Sequence, residues 1–194
     1  WIAMPYTKDG SLADISAGRF DSDNHYDVSE AIQIIKQILA AIGYLHSKQY
    51  VHRDIKPGNV LYYHQDKQWR VSDYGLLGKL EDGLAQSLGG GTPGWMAPEQ
   101  SGRPVDVRAD IYSIGQVFYY LLTGDYHFNH AHDKAPIPSQ LNQQVSEALS
   151  ALVVKCVEVD PSNRFPNIST LTEQLEAIET DELLKKATHL GGLG

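Results

Sequence analysis

The run His52-Arg53-Asp54-Ile55-Lys56-Pro57-Gly58-Asn59 holds a carboxylate, a cation two residues on and a carboxamide five residues on. Those types suit one another. Asp54 can accept a proton from a hydroxyl nucleophile, Lys56 can neutralise a transferring phosphoryl group, and Asn59 can offer an oxygen to a hard metal ion. Fourteen residues after Asn59, Asp73-Tyr74-Gly75 follows a strand-like run, and its carboxylate can hold magnesium against phosphate oxygens. Each triplet alone also reads as a polar loop with turn residues, so the chemistry lies in the combination.

Three other clusters invite a chemical reading and lose it on context. Gly89-Gly90-Gly91-Thr92-Pro93-Gly94 fits the phosphate-cradling pattern G-x-G-x-x-G, yet it follows no strand and opens no helix. A flexible segment is expected there. His127, His130 and His132 crowd one loop without an accompanying cysteine or carboxylate set, which favours a solvated loop over a metal site. Cys156 sits near Leu152 and Val153 on an amphipathic stretch and reads as a buried small hydrophobe.

The elements that must position Asp54 and Asp73 follow from pattern. Residues 1–7 read as a strand, Lys8-Asp9-Gly10-Ser11 as a turn, and Leu12–Ala17 as a short helix. Asp27-x-x-Glu30 is a capping box before a long helix whose apolar positions are Ile32, Ile35, Ile38, Leu39, Ile42 and Leu45. Short strands are expected at Tyr50-Val51, Val60–Tyr63 and Trp69–Ser72, with the last two joined by a turn at His64–Gln68. Residues 75–105 look irregular, and 107–122 read as a helix apolar all round, hence central. After a loop over 125–144 come helices near Val145–Val157 and Ile168–Glu179, then a tail whose glycines suggest a linker. The reading is α+β, mostly helical, with a few short strands in the first 75 residues.

Composition bounds the function. The 194 residues carry a net charge of −8, which disfavours nucleic acid and acidic membranes as partners, since no focused basic patch is visible. The longest apolar stretch, Ile111 to Leu122, is interrupted by Ser113, Gly115 and Gln116 and falls short of the ~20 residues of a membrane span. One cysteine builds no internal disulfide framework, so a cytoplasmic location is expected.

Taken together and in order, the motifs resemble those of the protein kinase family, specifically the eukaryotic-like serine/threonine kinases in their bacterial style. Asp73-Tyr74-Gly75 resembles the family's Asp-Phe-Gly, and Gly91-Thr92-Pro93-Gly94-Trp95-Met96-Ala97-Pro98-Glu99 its Gly-Thr…Ala-Pro-Glu segment. Asp110-Ile-Tyr-Ser-Ile-Gly115 is similar to the start of its buried central helix, and Asp160-Pro-Ser-Asn-Arg164-Phe to a motif near its end. The likeness covers about residues 1–178 and corresponds to the large lobe. It divides the chain into strand and hinge at 1–7, the lobe at 8–179 and a tail or linker at 180–194.

The resemblance implies roles residue by residue, with ATP and Mg2+ as cofactors. Asp54 would be the catalytic base, Lys56 the cation on the γ-phosphate, and Asn59 and Asp73 the magnesium ligands. Lys56 with Thr92 points to the serine/threonine subclass. Met4, Pro5, Thr7, Ser11 and Leu61 would meet ATP, the Pro5 carbonyl and Thr7 N–H facing adenine above a Leu61 floor. Proline at 5 removes a donor but leaves that carbonyl. Arg53, Lys79 and Ser87 form a regulatory set in which phospho-Ser87 would pair with Arg53. His52, Tyr74, Glu99, Asp110 and Arg164 would give structural support, Glu99 pairing with Arg164 and Asp110 holding the catalytic loop's backbone.

Two departures qualify the likeness. No Gly-rich loop, strand lysine or partner glutamate precedes the hinge, so the small lobe is absent from this chain, and residues 1–194 alone are expected to be inactive and to self-associate through the surface left bare. The stretch between Phe128 and Pro136 is too short for the docking helix that the family usually has there. The implied partners are protein substrates and the missing lobe. Two other readings stand beside the kinase: a binding scaffold of the pseudokinase type, whose usual mark is loss of Asp54, Asn59 or Asp73, and a small-molecule phosphotransferase, which generally lacks the Gly-Thr…Ala-Pro-Glu segment.

Overall fold

The Ser11 and Asp14 side chains trade hydrogen bonds at the head of the first helix, α1 (Leu12–Phe20), and so satisfy amides that an isolated helix start leaves bare. The structure, a computed structural model, describes residues 7–20, 26–86, 90–125 and 136–191, with side chains as far as Leu183. The expected strand at 1–7 therefore lies outside the described residues except for Thr7, as do Met4, Pro5, Ser87, the three loop histidines and most of the short stretch after Phe128.

Asp27 caps α2 (Val28–Ser47), its Oδ1 accepting from the Glu30 amide at 2.8 Å. The glutamate half of the anticipated capping box serves elsewhere: its carboxylate takes Arg19 Nη1 at 2.7 Å. Ile32, Ile35, Ile38, Leu39 and Ile42 are buried as their spacing predicts, and Leu45 packs at the edge of the core. By length and composition α2 is long and apolar enough to cross a membrane. That differs from the expectation of no such segment; its apolar residues instead pack among the other elements of the lobe.

Two small antiparallel sheets follow. β1 (Tyr50–Val51) pairs with β4 (Gly78–Lys79), and β2 (Val60–Tyr63) pairs with β3 (Gln68–Val71) in the register Val60 to Val71. The strand β4 lies in the stretch expected to be irregular, because two residues are too few to show a period. The segment entering α1 lies antiparallel to β2, through a Ser11–Leu61 bridge and the Tyr62 amide on Gly10 O.

The central helix α3 (Arg108–Thr123) is buried from Ala109 to Leu122, as its all-round apolar character requires. It ends on Gly124 in the left-handed region, φ 75°. α4 (Pro138–Leu141) forms inside the expected loop, with proline at its first position, where the missing N–H costs nothing. α5 (Glu147–Cys156) is capped by Ser146, and α6 (Ile168–Gly191) runs well past the expected Glu179 because no glycine or proline interrupts residues 180–190. The expected linker thus begins as helix. Cys156 is buried at 1% exposure, and burial pushes its thiol pKa up, as suits an inert core position.

Gly115 sets the distance between α3 and α5. A Cβ there would lie 2.5 Å from Cys156 Cβ and 2.8 Å from Val157 Cγ1. Gly115→Ala is accordingly expected to lower stability by ~1–3 kcal/mol through overpacking, read as a fall in midpoint on thermal or urea denaturation. An unchanged midpoint would contradict the close approach.

Candidate active site

Asp54 lies between β1 and β2, on a loop held by the buried head of α3. Asp110, fully buried in the first turn of α3, accepts the His52 amide on Oδ2 and the Arg53 amide on Oδ1, each at 2.8 Å. A third donor, His46 Nε2 from the end of α2, reaches Oδ2 at 2.7 Å. The carbonyl of Arg53 accepts from Gln100 Nε2 at 2.8 Å. These contacts hold Arg53 at φ 71°, a conformation uncommon for a residue with a side chain.

From this fixed loop, three side chains close a triangle. Lys56 Nζ donates to Asp54 Oδ2 at 2.8 Å and to Thr92 Oγ1 at 2.6 Å, while Thr92 Oγ1 donates to Asp54 Oδ1 at 2.8 Å. Asn59 Nδ2 donates to the Asp54 backbone carbonyl at 2.8 Å and to its Oδ2 at 3.0 Å. Burial raises the Asp54 pKa, but the hydrogen bonds of Lys56, Thr92 and Asn59 and the Lys56 charge outweigh it and hold the carboxyl below its ordinary value of 3.8. Asp54 is therefore a carboxylate at neutral pH, with a cation and a hydroxyl already against it.

Asn59 and Asp73 come together through the β2–β3 hairpin. Val60 faces Val71, and beyond that pair Ser72 donates from its amide and its hydroxyl to the Asn59 carbonyl, at 2.8 and 3.0 Å. Asp73 thus follows directly on the residue bound to Asn59. It is exposed, at φ 62°, with Oδ1 accepting from the Gly75 amide at 3.2 Å. Asn59 turns its amide nitrogen to Asp54, which leaves Oδ1 without a donor among the described residues. One amide oxygen and one exposed carboxylate fit a small hard cation that keeps waters and phosphate oxygens as its other ligands. No group of three or more His, Cys, Asp or Glu able to hold a metal occurs among the described residues.

The residues expected to give structural support make the following contacts. His52 bridges Ser72 O at 3.1 Å and the Asp54 amide at 3.3 Å through its two ring nitrogens, and its ring stands 5.4 Å from that of Tyr74. Tyr74 in turn donates to Val71 O at 3.0 Å. Arg164, with a side chain at 0% exposure, grips Glu99 through both terminal nitrogens, at 2.7 and 2.9 Å. The same guanidinium donates to the carbonyls of Glu158, Val159 and Arg108.

Three expected contacts read differently in the structure. Ser11, expected at ATP, donates its hydroxyl to Asp14 Oδ2 at 2.6 Å and is 8% exposed, because the start of α1 needs a cap. Thr7 ties the segment before α1 to β2 by donating to Tyr62 O at 2.6 Å, next to half-buried Leu61. Arg53 already spends its guanidinium on carbonyls, Nε on Leu76 and Nη1 on Gln86 at 2.7 Å, while Lys79 is exposed on β4. Within Gly89–Gly94, the described part carries Thr92 to Asp54, and a Cβ on Gly91 (φ 115°) would crowd Met96, Gln100 and the Arg53 carbonyl. His46 and Gln100 were not anticipated, since no local pattern marks either one.

The protein kinase domain family matches residues 1–175. A probable serine/threonine-protein kinase of Clostridium acetobutylicum is 28% identical over 93% of this chain and 29% of its own length. The serine/threonine-protein kinase Pkn1 of Myxococcus xanthus is 32% identical over 84% of the chain and 26% of itself. A calcium/calmodulin-dependent protein kinase type 1 of Caenorhabditis elegans reaches 38% over 64% of the chain and 35% of itself. The chain spans about a third or less of the length of these relatives.

Proposed function

The chain belongs to the protein kinase family, and from that premise we propose that the complete protein transfers a phosphoryl group from magnesium-ATP to seryl and threonyl hydroxyls of proteins. The triangle of Asp54, Lys56 and Thr92 carries this reading. A protein hydroxyl, that of Thr92, already fits between a cation and an ionised carboxylate there, the surroundings that an acceptor hydroxyl needs. Asp54 orients the incoming hydroxyl and takes its proton, while Lys56 keeps positive charge at 2.8 Å from that carboxylate, where negative charge from the transferring group accumulates. Asn59 Oδ1 and the Asp73 carboxylate would hold magnesium, and ATP with that metal would supply the transferable group.

Two features weigh against the other readings. Asp54, Asn59 and Asp73 are all present, which a scaffold without catalysis does not require. The Glu99–Arg164 pair anchors the segment that carries Thr92, a structure that small-molecule phosphotransferases do without. The relatives' names support serine and threonine as acceptors.

The test is Asp73→Asn in the complete protein, assayed for magnesium-dependent transfer to a protein substrate. A loss of at least ~10²-fold is expected, with partial recovery by raised magnesium. Wild-type rates in this variant would refute the metal-holding role and, with it, the proposed reaction.

A further inference from the structure

Between α2 and the start of α6 lies a cavity of about 670 Å³, a volume that suits a small organic molecule. Its apolar lining includes Leu39, Gly43 and Ile168, where a Cβ on Gly43 would stand 3.2 Å from Ile168 Cγ2. Glu173 and Glu176 also line it, one turn apart on α6. Glu173 accepts only the Ser169 hydroxyl, at 2.9 Å, and neither carboxylate has a basic partner among the described residues. The cation that lines the cavity, Lys36, is already engaged by Glu179 at 2.9 Å. The uncommitted charge of the cavity is negative.

His46 completes the wall. Its side chain is 9% exposed; Nε2 lies on Asp110, and the buried Nδ1 has no hydrogen-bond partner. With Nε2 donating to a carboxylate, Nδ1 of the neutral ring is an acceptor, and a buried acceptor left unpaired calls for a donor. The buried His46 Nδ1 and the two glutamates therefore all ask for N–H. His46 also leads elsewhere, because Asp110 holds the His52 and Arg53 amides beside Asp54.

We propose that this cavity binds a small organic cation, an amine on an apolar frame, and that its occupancy is felt at the catalytic loop through His46 and Asp110. The frame lies on Leu39, Gly43 and Ile168, and the ammonium faces Glu173, Glu176 and the His46 ring. The proposal rests on this geometry and stands apart from the phosphotransfer reading.

The experiment titrates tryptamine into the complete protein by calorimetry, with indole-3-propionate as a control of similar frame and opposite charge. Hydrogen exchange across residues 50–55 is followed in parallel. Tryptamine is expected to bind saturably and at least about tenfold more tightly than the acid. Binding should weaken about tenfold in E173K/E176K and vanish in Ala40→Trp, which fills the cavity rim from an exposed position on α2. The His52 and Arg53 amides should exchange more slowly with tryptamine bound. Absent or charge-blind binding overturns the proposal, as does binding that both variants leave intact. Unchanged exchange at residues 52 and 53 overturns the link to the catalytic loop.

Discussion

Asp54→Asn in the complete protein is expected to lower the rate of transfer to a protein hydroxyl by ~10²–10⁴-fold, the range that a positioned general base supplies. Asparagine keeps the size of the side chain but cannot take a proton, and its amide would set an N–H against Lys56 or Thr92 where an oxygen now accepts. Measuring kcat and KM separately checks the mechanism: kcat should fall with KM for the nucleotide little changed, since the proposed role of Asp54 is on the acceptor side. The pH profile gives a second check. Because the Asp54 carboxyl titrates below 3.8, its base form is complete throughout the neutral range, and it places no acid limb between pH 5 and 7. The stability linked to that shift runs the same way, present above about pH 3.8 and lost as pH falls through the lower folded value. A variant as fast as wild type would remove Asp54 from the reaction.

Arg164→Ala is expected to cost ~3–5 kcal/mol of stability, because it deletes one partner of a buried ion pair. The loss leaves the Glu99 carboxylate without its two donors and strips the carbonyls of Glu158, Val159 and Arg108 of theirs. Its guanidinium also stands 4.8 Å from the Tyr112 ring centroid, so packing inside the lobe is lost as well. Arg164→Lys should recover only part of the deficit, since an ammonium cannot reproduce the fork on Glu99. Urea denaturation of the three proteins decides the matter. A difference under about 1 kcal/mol between Arg164→Ala and wild type would mean that the pair contributes little.

The residues proposed to carry the reaction were legible because they sit in short motifs close in sequence. Asp54, Lys56 and Asn59 share one loop and Asp73 follows fourteen residues after Asn59, and it was the resemblance of these motifs, taken in order, to those of protein kinases that joined them into one site. Residues that act across the fold left no such trace. Gln100 reaches the Arg53 carbonyl from 47 positions away, and His46 meets Asp110 across 64. Neither has a neighbour in sequence that hints at its partner. Helix faces with clean period, such as Ile32 to Ile42, were readable, because burial of one stripe is what shapes such sequences. Residues 180–190 carry no terminating signal, and α6 passes straight through them. Ser11 shows the opposite difficulty: the same hydroxyl suits a ligand and a helix cap, and local satisfaction of α1 decides for the cap.

This chain carries the large lobe of a protein kinase, and its relatives are named as serine/threonine kinases. The most direct test of the proposed reaction incubates the complete protein with γ-phosphate-labelled ATP, magnesium and a mixture of proteins, then identifies the labelled amino acids. Label is expected on phosphoserine and phosphothreonine, absent without magnesium and cut by ~10²-fold or more in Asp54→Asn. Label confined to small molecules, or equal labelling by wild type and Asp54→Asn, would contradict the proposed reaction.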